Sequence, residues 1–342
     1  MKYIVKYITF VIGLVGLMIL ADPVAAGEAA KPDGFGGIGL ALLVNGASIQ
    51  GLFTTLKATF NKAFDNAPSD WEKTTMRINS TTKTEDYAWL SRFPKMRKWI
   101  GDKVIKALGA FKYTITNEPY EATIEVFRDD IEDDTLGIYA TQAQEAGFSA
   151  RTWPDELIAD LKNGAFAAEC YDGQYFYDSD HPVAGASVSN LGTAALSAAT
   201  NALAKASYGA ARKAIMQFKD DEGRPLGLTP NVLEVPPALE EVGRMLCYSD
   251  KLENDTPNPY KGTAELIVNN RLTSETAWFL HVTNRPLKPF IMQIRKNPVF
   301  VSQTNMDADD VFDRGVYKYG AEARGAAGYG LWQLSYGSTG LG

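Results

Sequence analysis

Cysteine and histidine are nearly missing from this chain: two of each among 342 residues. Two cysteines, Cys170 and Cys247, cannot build a disulfide framework, so both read as reduced thiols in a cytosolic protein. His181 and His281 are too few for a histidine-based metal centre, and no G-x-x-x-x-G-K-[ST] phosphate loop is present. Basic residues are outnumbered, 34 against 41 acidic, and the net charge of −7 argues against a protein that coats DNA through its phosphates. No repeat of fixed period is visible. No apolar run reaches the ~18–20 residues of a membrane span. The longest, Ile8–Ala21, follows Lys2 and Lys6 and precedes Val24-Ala25-Ala26, which is a secretory signal pattern.

What remains is ordinary globular material, 45% hydrophobic and 22% charged, enough for a sizeable core. Ile49, Leu52, Phe53, Leu56, Phe60 and Phe64 recur at three and four, so residues 47–64 read as an amphipathic helix. Short β-like runs follow at 74–78, 111–116 and 123–127, with Asn117-Glu118-Pro119 as a turn between the last two. This piece reads as a thin antiparallel excursion without a core of its own, in need of support from elsewhere. A long helix over about 129–163 comes next, interrupted and restarted at Pro154. Residues 183–207 open as a loop. A helix then runs to about Lys219 with Leu203, Ala211, Ile215 and Phe218 inward. Strands dominate after residue 264. The class is α+β, without the regular β-α-β alternation of a nucleotide-binding sheet.

Charge is distributed unevenly. Seven basic residues (Arg92, Lys95, Arg97, Lys98, Lys103, Lys106, Lys112) stand against Asp102 alone in one stretch. Eight acidic residues, among them Asp129, Asp130, Glu132, Asp133 and Asp134, stand against Arg128 alone between Glu118 and Asp134. Such opposed patches pair within a subunit or steer contacts between subunits. Asp178, Asp180 and His181 fit no standard metal loop, and a turn closed by Asp side chains before Pro182 is the simpler reading. Cys170 with His181 lacks any cysteine-protease signature and reads as a buried structural thiol. Gly325, Gly328 and Gly330 read as bulges or close strand contacts. No catalytic residue, metal or cofactor is expected.

Several segments resemble the Mu-like phage major head subunits. They include Tyr87-Ala-Trp-Leu90 with Phe93-Pro94, Arg128-Asp-Asp130, Leu136-Gly-Ile-Tyr139, Pro154-Asp-Glu-Leu157, Cys170-Tyr-Asp-Gly173 with Asp180-His-Pro182, Arg285-Pro-Leu-Lys-Pro289 and Gly328-Tyr-Gly-Leu-Trp-Gln-Leu334. The resemblance implies the Hong Kong 97 phage-type capsid fold. Its parts would be an N-arm over 43–72, an extended loop with peripheral strands over 73–127, a spine helix and peripheral domain over 128–182, a mainly axial domain over 183–274, and axial and peripheral strands over 275–342. It also implies pentamers and hexamers, an icosahedral shell around packaged double-stranded DNA, no enzyme activity, and assembly in the host cytoplasm. Scaffolding, portal and decoration proteins would be separate partners. Residues 1–42 depart from the family pattern and read as a misplaced start or upstream fusion. The rival class is an exported periplasmic or envelope binding protein that uses this segment as its signal.

Overall fold

A computed structural model describes residues 46–91, 113–132, 137–196, 201–252 and 255–342. The first helix, α1 (Gly46–Asn66), buries Ile49, Phe53, Leu56 and Phe60, the inner part of the stripe read from the sequence. It packs along α4 (Gly137–Asn163), whose facing residues Ala143, Ala146, Gly147 and Ala150 are small enough for close approach. A Cβ at Gly147 would stand 2.4 Å from the Phe60 carbonyl oxygen, so only glycine fits at this crossing.

The helix expected to break at Pro154 does not break. α4 runs 27 residues through it. Its buried stripe continues on both sides, through Trp153 and then Ile158, Ala159 and Lys162, and this packing outweighs the one hydrogen bond that proline removes. Asp155, just behind this proline, caps a neighbouring element. Its carboxylate accepts the Ser69 hydroxyl at 2.6 Å and the backbone N–H groups of Asp70 and Trp71 at 2.9 and 2.8 Å, at the start of α2 (Trp71–Thr74).

The β-excursion is also built differently from the expected ribbon. β1 (Thr75–Asn79), β2 (Thr84–Asp86), β3 (Thr114–Thr116) and β4 (Glu118–Phe127) follow α2. β3 pairs with β2, not with β4. Asn117 is a pivot rather than a turn: its side chain donates to Ser80 Oγ at 2.8 Å and the Thr82 carbonyl at 2.9 Å, and the chain continues directly into β4. Pro119 is tolerated because β4 is an edge strand.

After α3 (Arg128–Glu132) and α4, a small hairpin of β5 (His181–Val183) and β6 (Ala186–Val188) occupies part of the expected loop. Ala184 and Gly185 turn it with φ of 51° and 82°. β7 (Leu191–Gly192), α5 (Asn201–Gln217), β8 (Val232–Val235), α6 (Glu240–Tyr248), β9 (Glu265–Val268) and β10 (Trp278–His281) come next. On α5 the buried stripe is Ala204, Tyr208, Ala211 and Ile215, one residue out of step with Leu203, which is 56% exposed. β11 (Phe290–Gln303), α7 (Asp309–Arg314), β12 (Val316–Tyr329) and β13 (Ser335–Ser338) end the chain.

Two principal sheets result. One has the order β1-β11-β12-β4, with β1 parallel to β11 and the other pairs antiparallel. The second has the order β7-β13-β10-β8-β9. Glycines in β12 allow close contact, as read from the sequence. A Cβ at Gly325 would lie 2.4 Å from the Gln293 carbonyl oxygen, and one at Gly328 would lie 2.2 Å from Ile115 Cδ1. The larger core joins the second sheet to the C-terminal half of α4, and a smaller one lies between α1, α4 and β12.

Candidate assembly surface and buried polar sites

Arg92, Lys95, Arg97, Lys98, Lys103, Lys106 and Lys112 lie outside the described residues, as do Asp133 and Asp134. Glu132 closes α3. Asp129 is exposed, and Asp130 is half-buried with its carboxylate accepting the Tyr139 hydroxyl. The strand before them already has basic partners in its own chain. Arg314 reaches Glu125 at 3.5 Å and Asp310 at 3.8 Å, and Lys318 reaches Asp310 at 2.7 Å. Sequence reasoning missed these cations because they arrive from α7 and β12, almost two hundred positions later.

Large apolar side chains face solvent around this acidic end. Phe312 on α7 is 86% exposed, Ile138 in the first turn of α4 is 64% exposed, and Phe127 at the end of β4 is 50% exposed. The elements that carry them meet here. Phe127 pairs with Val316, and Tyr139, beside Ile138, packs with Val126, Ile131 and Val311. Clustered exposed apolar groups mark contact surfaces.

Two polar networks lie inside. In the first, Lys162 at the end of α4 meets Glu234 on β8, with Nζ 2.7 Å from Oε2 and 2.9 Å from Oε1. Nζ also donates to Thr74 Oγ1 at 3.0 Å, and Asn269 Nδ2 donates to Glu234 Oε1 at 2.7 Å. The pair borders a cleft of about 500 Å³ lined also by Trp71, Asp155 and Arg271. His281 Nε2 stands 3.1 Å from Glu234 Oε2, and His281 Nδ1 stands 2.9 Å from Ser335 Oγ, which is 2.7 Å from the Tyr177 hydroxyl. A neutral imidazole satisfies every member. Tyr177 donates to Ser335, Ser335 to Nδ1, and Nε2–H to the carboxylate. Burial alone would raise the Glu234 carboxyl, but the Lys162 ammonium and then His281 hold it well below the usual range.

Burial pushes His281 below its ordinary 6.5, against the upward pull of Glu234. The unfolded chain therefore takes up a proton that the native chain refuses. This contribution to stability is complete above pH 6.5 and is lost as the pH falls below it, and the Glu234 contribution follows below 4.5. His281→Gln should lower stability at neutral pH yet flatten its slope as the pH falls below 6.5. Denaturation midpoints across that range check it, and an unchanged slope would exclude His281 as its source.

In the second network, the residues proposed from sequence separate. Asp178 closes a turn, its Oδ2 accepting the Tyr175 N–H at 3.2 Å and its Oδ1 the Ser179 N–H at 2.6 Å, and Asp180 is exposed. His181 turns away from both, and its Nδ1 meets Asp172 Oδ2 at 2.8 Å. Cys170 Sγ stands 3.1 Å from Asp172 Oδ1. Burial first, then the Asp172 charge, pushes the Cys170 thiol far up, and with His181 fully buried the pair offers no surface to a substrate. Cys247 is likewise free and buried, and burial pushes it to about 11. Among the described residues no helix is long and apolar enough to cross a membrane.

Likeness to known proteins bears on the fold and the family. The family model for the Mu-like prophage major head subunit gpT matches residues 49–200, 194–272 and 269–340. The major capsid protein of Escherichia phage Mu is 32% identical over 294 residues, covering 86% of this chain and 74% of that protein. The Mu-like prophage FluMu major head subunit of Haemophilus influenzae is 28% identical over 288 residues, covering 84% and 72%. A chain of the bacteriophage JBD30 procapsid superimposes with a TM-score of 0.54 at 32% identity, covering 86% of this chain and 76% of that one. The fold is accordingly the α+β Hong Kong 97-type capsid fold, and the alternative of an exported binding protein draws no support. Matched along most of its length by family, relatives and fold, the chain belongs to the Mu-like prophage major head subunit family, the major capsid proteins of Mu-like phages.

Proposed function

We propose that many copies of this chain close an icosahedral phage head as pentamers and hexamers, around double-stranded DNA that they do not read by sequence. Its place is the virion, after assembly in the host cytoplasm, and it carries out no catalysis. The observation that supports this best is the joint likeness in sequence and fold to a procapsid subunit over 86% of the chain. The division into N-arm (43–72), extended loop and peripheral strands (73–127), spine (128–182) and axial parts belongs to the same reading. Scaffolding, portal and decoration proteins would join from outside.

Subunits choose their register by charge. The basic segment holding Arg92, Lys95, Arg97, Lys98, Lys103 and Lys106 meets the acidic row of Asp129, Asp130, Glu132, Asp133 and Asp134 on a neighbouring copy. Glu125 is already engaged by Arg314 within its own chain. Apolar burial around Phe312, Ile138 and Phe127 then supplies affinity, while the charges supply orientation. Symmetry repeats each such pair around every ring.

The double substitution Arg97→Glu with Lys98→Glu is expected to leave a folded subunit that forms no closed particles. Electron micrographs and circular dichroism of the same preparation test both halves. Particles of normal size from the double variant would refute steering by charge. The wild-type chain staying monomeric at high concentration would refute the shell itself.

A further inference from the structure

Beneath the turn that joins Cys170 to His181, three chemically different donors converge. Cys170 Sγ, an Asp172 carboxylate oxygen and a His181 ring nitrogen all lie within 4.8 Å of one another. All three side chains are buried. Nothing in the assembly reading uses them.

The His181 ring is fixed from behind. Asn190 Nδ2 faces three carbonyl oxygens, those of Phe176 at 2.8 Å, Ser335 at 3.3 Å and Trp332 at 3.4 Å. Its Oδ1 must therefore be the accepting end. That oxygen takes the Asp178 N–H at 2.9 Å and stands 3.2 Å from His181 Nε2. Nε2 then carries a hydrogen and donates it. Trp332 stacks on the imidazole at 4.0 Å and 10°, which prevents the ring from turning over. Nδ1 is left facing the Asp172 carboxylate at 2.8 Å, with the Cys170 sulfur beside it. Two lone pairs at that distance repel unless something positive stands between them, either a second ring proton or a metal ion. A metal-bound histidine characteristically donates its other N–H to a fixed oxygen acceptor.

We propose that Cys170, Asp172 and His181 form a zinc site, with thiolate, carboxylate and Nδ1 as protein ligands and water in the fourth position. The donor set decides the metal. Thiolate with imidazole suits zinc and disfavours calcium and magnesium, which take oxygen donors. Zinc bonds of about 2.0–2.3 Å require Nδ1 and the Asp172 oxygen, now 2.8 Å apart, to spread. Binding exchanges two protons for the ion: Zn–S, Zn–N and Zn–O bonds form, the thiol proton and the proton shared by Nδ1 and Asp172 leave to solvent, and nothing is oxidised. The ion would pin the turn after Cys170 to the β5 hairpin under Trp332.

The sequence alone hides this site. Its signal is Cys-x-Asp followed nine residues later by His, with the two intervening aspartates as decoys. Only the turn at Tyr171-Asp-Gly173, where Gly173 has φ of 82°, brings Asp172 back over His181.

The test uses the full chain, stripped with chelator and then given zinc alone. Mass spectrometry of the metal after gel filtration should find one zinc per chain. Cobalt in its place should give a thiolate-to-cobalt absorption band. Cys170→Ser and Asp172→Asn should each weaken retention by about tenfold or more. Cys247→Ser, which alters the other buried thiol, should retain the ion. Should a ligand variant fail to fold, the wild-type stoichiometry and the cobalt band with the Cys247→Ser control decide the matter. No zinc in the wild-type chain would leave a shared proton as the positive particle and overturn the proposal. Uptake that survives both ligand substitutions would overturn it as well.

Discussion

Glu234→Ala should destabilise the unassembled subunit by about 3–5 kcal/mol, the cost of leaving one member of a buried ion pair alone. Lys162 is 3% exposed and would keep only the Thr74 hydroxyl at 3.0 Å and the face of the Phe290 ring at 5.1 Å. His281 Nε2–H and Asn269 Nδ2 would lose their acceptor at the same time. Each orphaned polar group carries its own desolvation cost. The pair itself contributes less than its rupture suggests, because both charges paid heavily to leave water. Replacing both partners together, Lys162→Met with Glu234→Met, should therefore recover most of the loss. Denaturant titration of the wild type, Glu234→Ala and the double variant measures it. A loss below about 1 kcal/mol in Glu234→Ala, the scale of an exposed pair, would mean that water enters the cleft and screens the charges.

The second large effect is steric. Gly147→Val places a branched side chain where even a Cβ lies 2.4 Å from the Phe60 carbonyl oxygen and 3.1 Å from Ala63 Cβ. Backbone cannot rotate aside as a side chain does, so α1 must shift along α4. The expected cost is at or above the upper end of the ~1–3 kcal/mol typical of overpacking. Gly51→Ala is the matched control. It lies on α1 with nothing within 4 Å of the added Cβ. That change should stabilise by about 0.5–1 kcal/mol through helix propensity. Melting midpoints of the two variants should thus move in opposite directions. If Gly147→Val left its midpoint unchanged, the α1–α4 contact would be looser than described.

Much of this architecture was legible because its signals are local. The Ile49-to-Phe60 stripe and the short Val-Leu-Glu-Val run at 232–235 each point to their element from within a few residues. Pro154 misled for an instructive reason. Local propensity favours a stop, but the apolar stripe on both sides of it is buried by residues remote in sequence. The Asn117–Pro119 signal misled in the same way, because a proline at a sheet edge breaks no ladder bond. The fold class and family were readable from segment resemblance. The interior chemistry was not. Lys162 falls four residues after Ile158 on the inward stripe of α4, and Glu234 interrupts an otherwise apolar strand. Each is an oddity by itself, and only the meeting of α4 with β8 shows that they answer one another. Asp172, like Arg314 and Lys318, drew no attention because its partner depends on a turn that the sequence marks only with a glycine.

The four-stranded sheet has its order in space reversed from its order in time. Its two outer strands, β1 and β4, are synthesised first, while its two central strands, β11 and β12, are made last, from Phe290 onward. On the ribosome the early strands have no neighbours to pair with, and the antiparallel centre that joins them forms only when the final sixth of the polypeptide emerges. Such distant pairings are slow to close and leave sticky edges waiting. Completion of synthesis thus acts as a timer: a half-made subunit has no finished sheet with which to enter a growing shell.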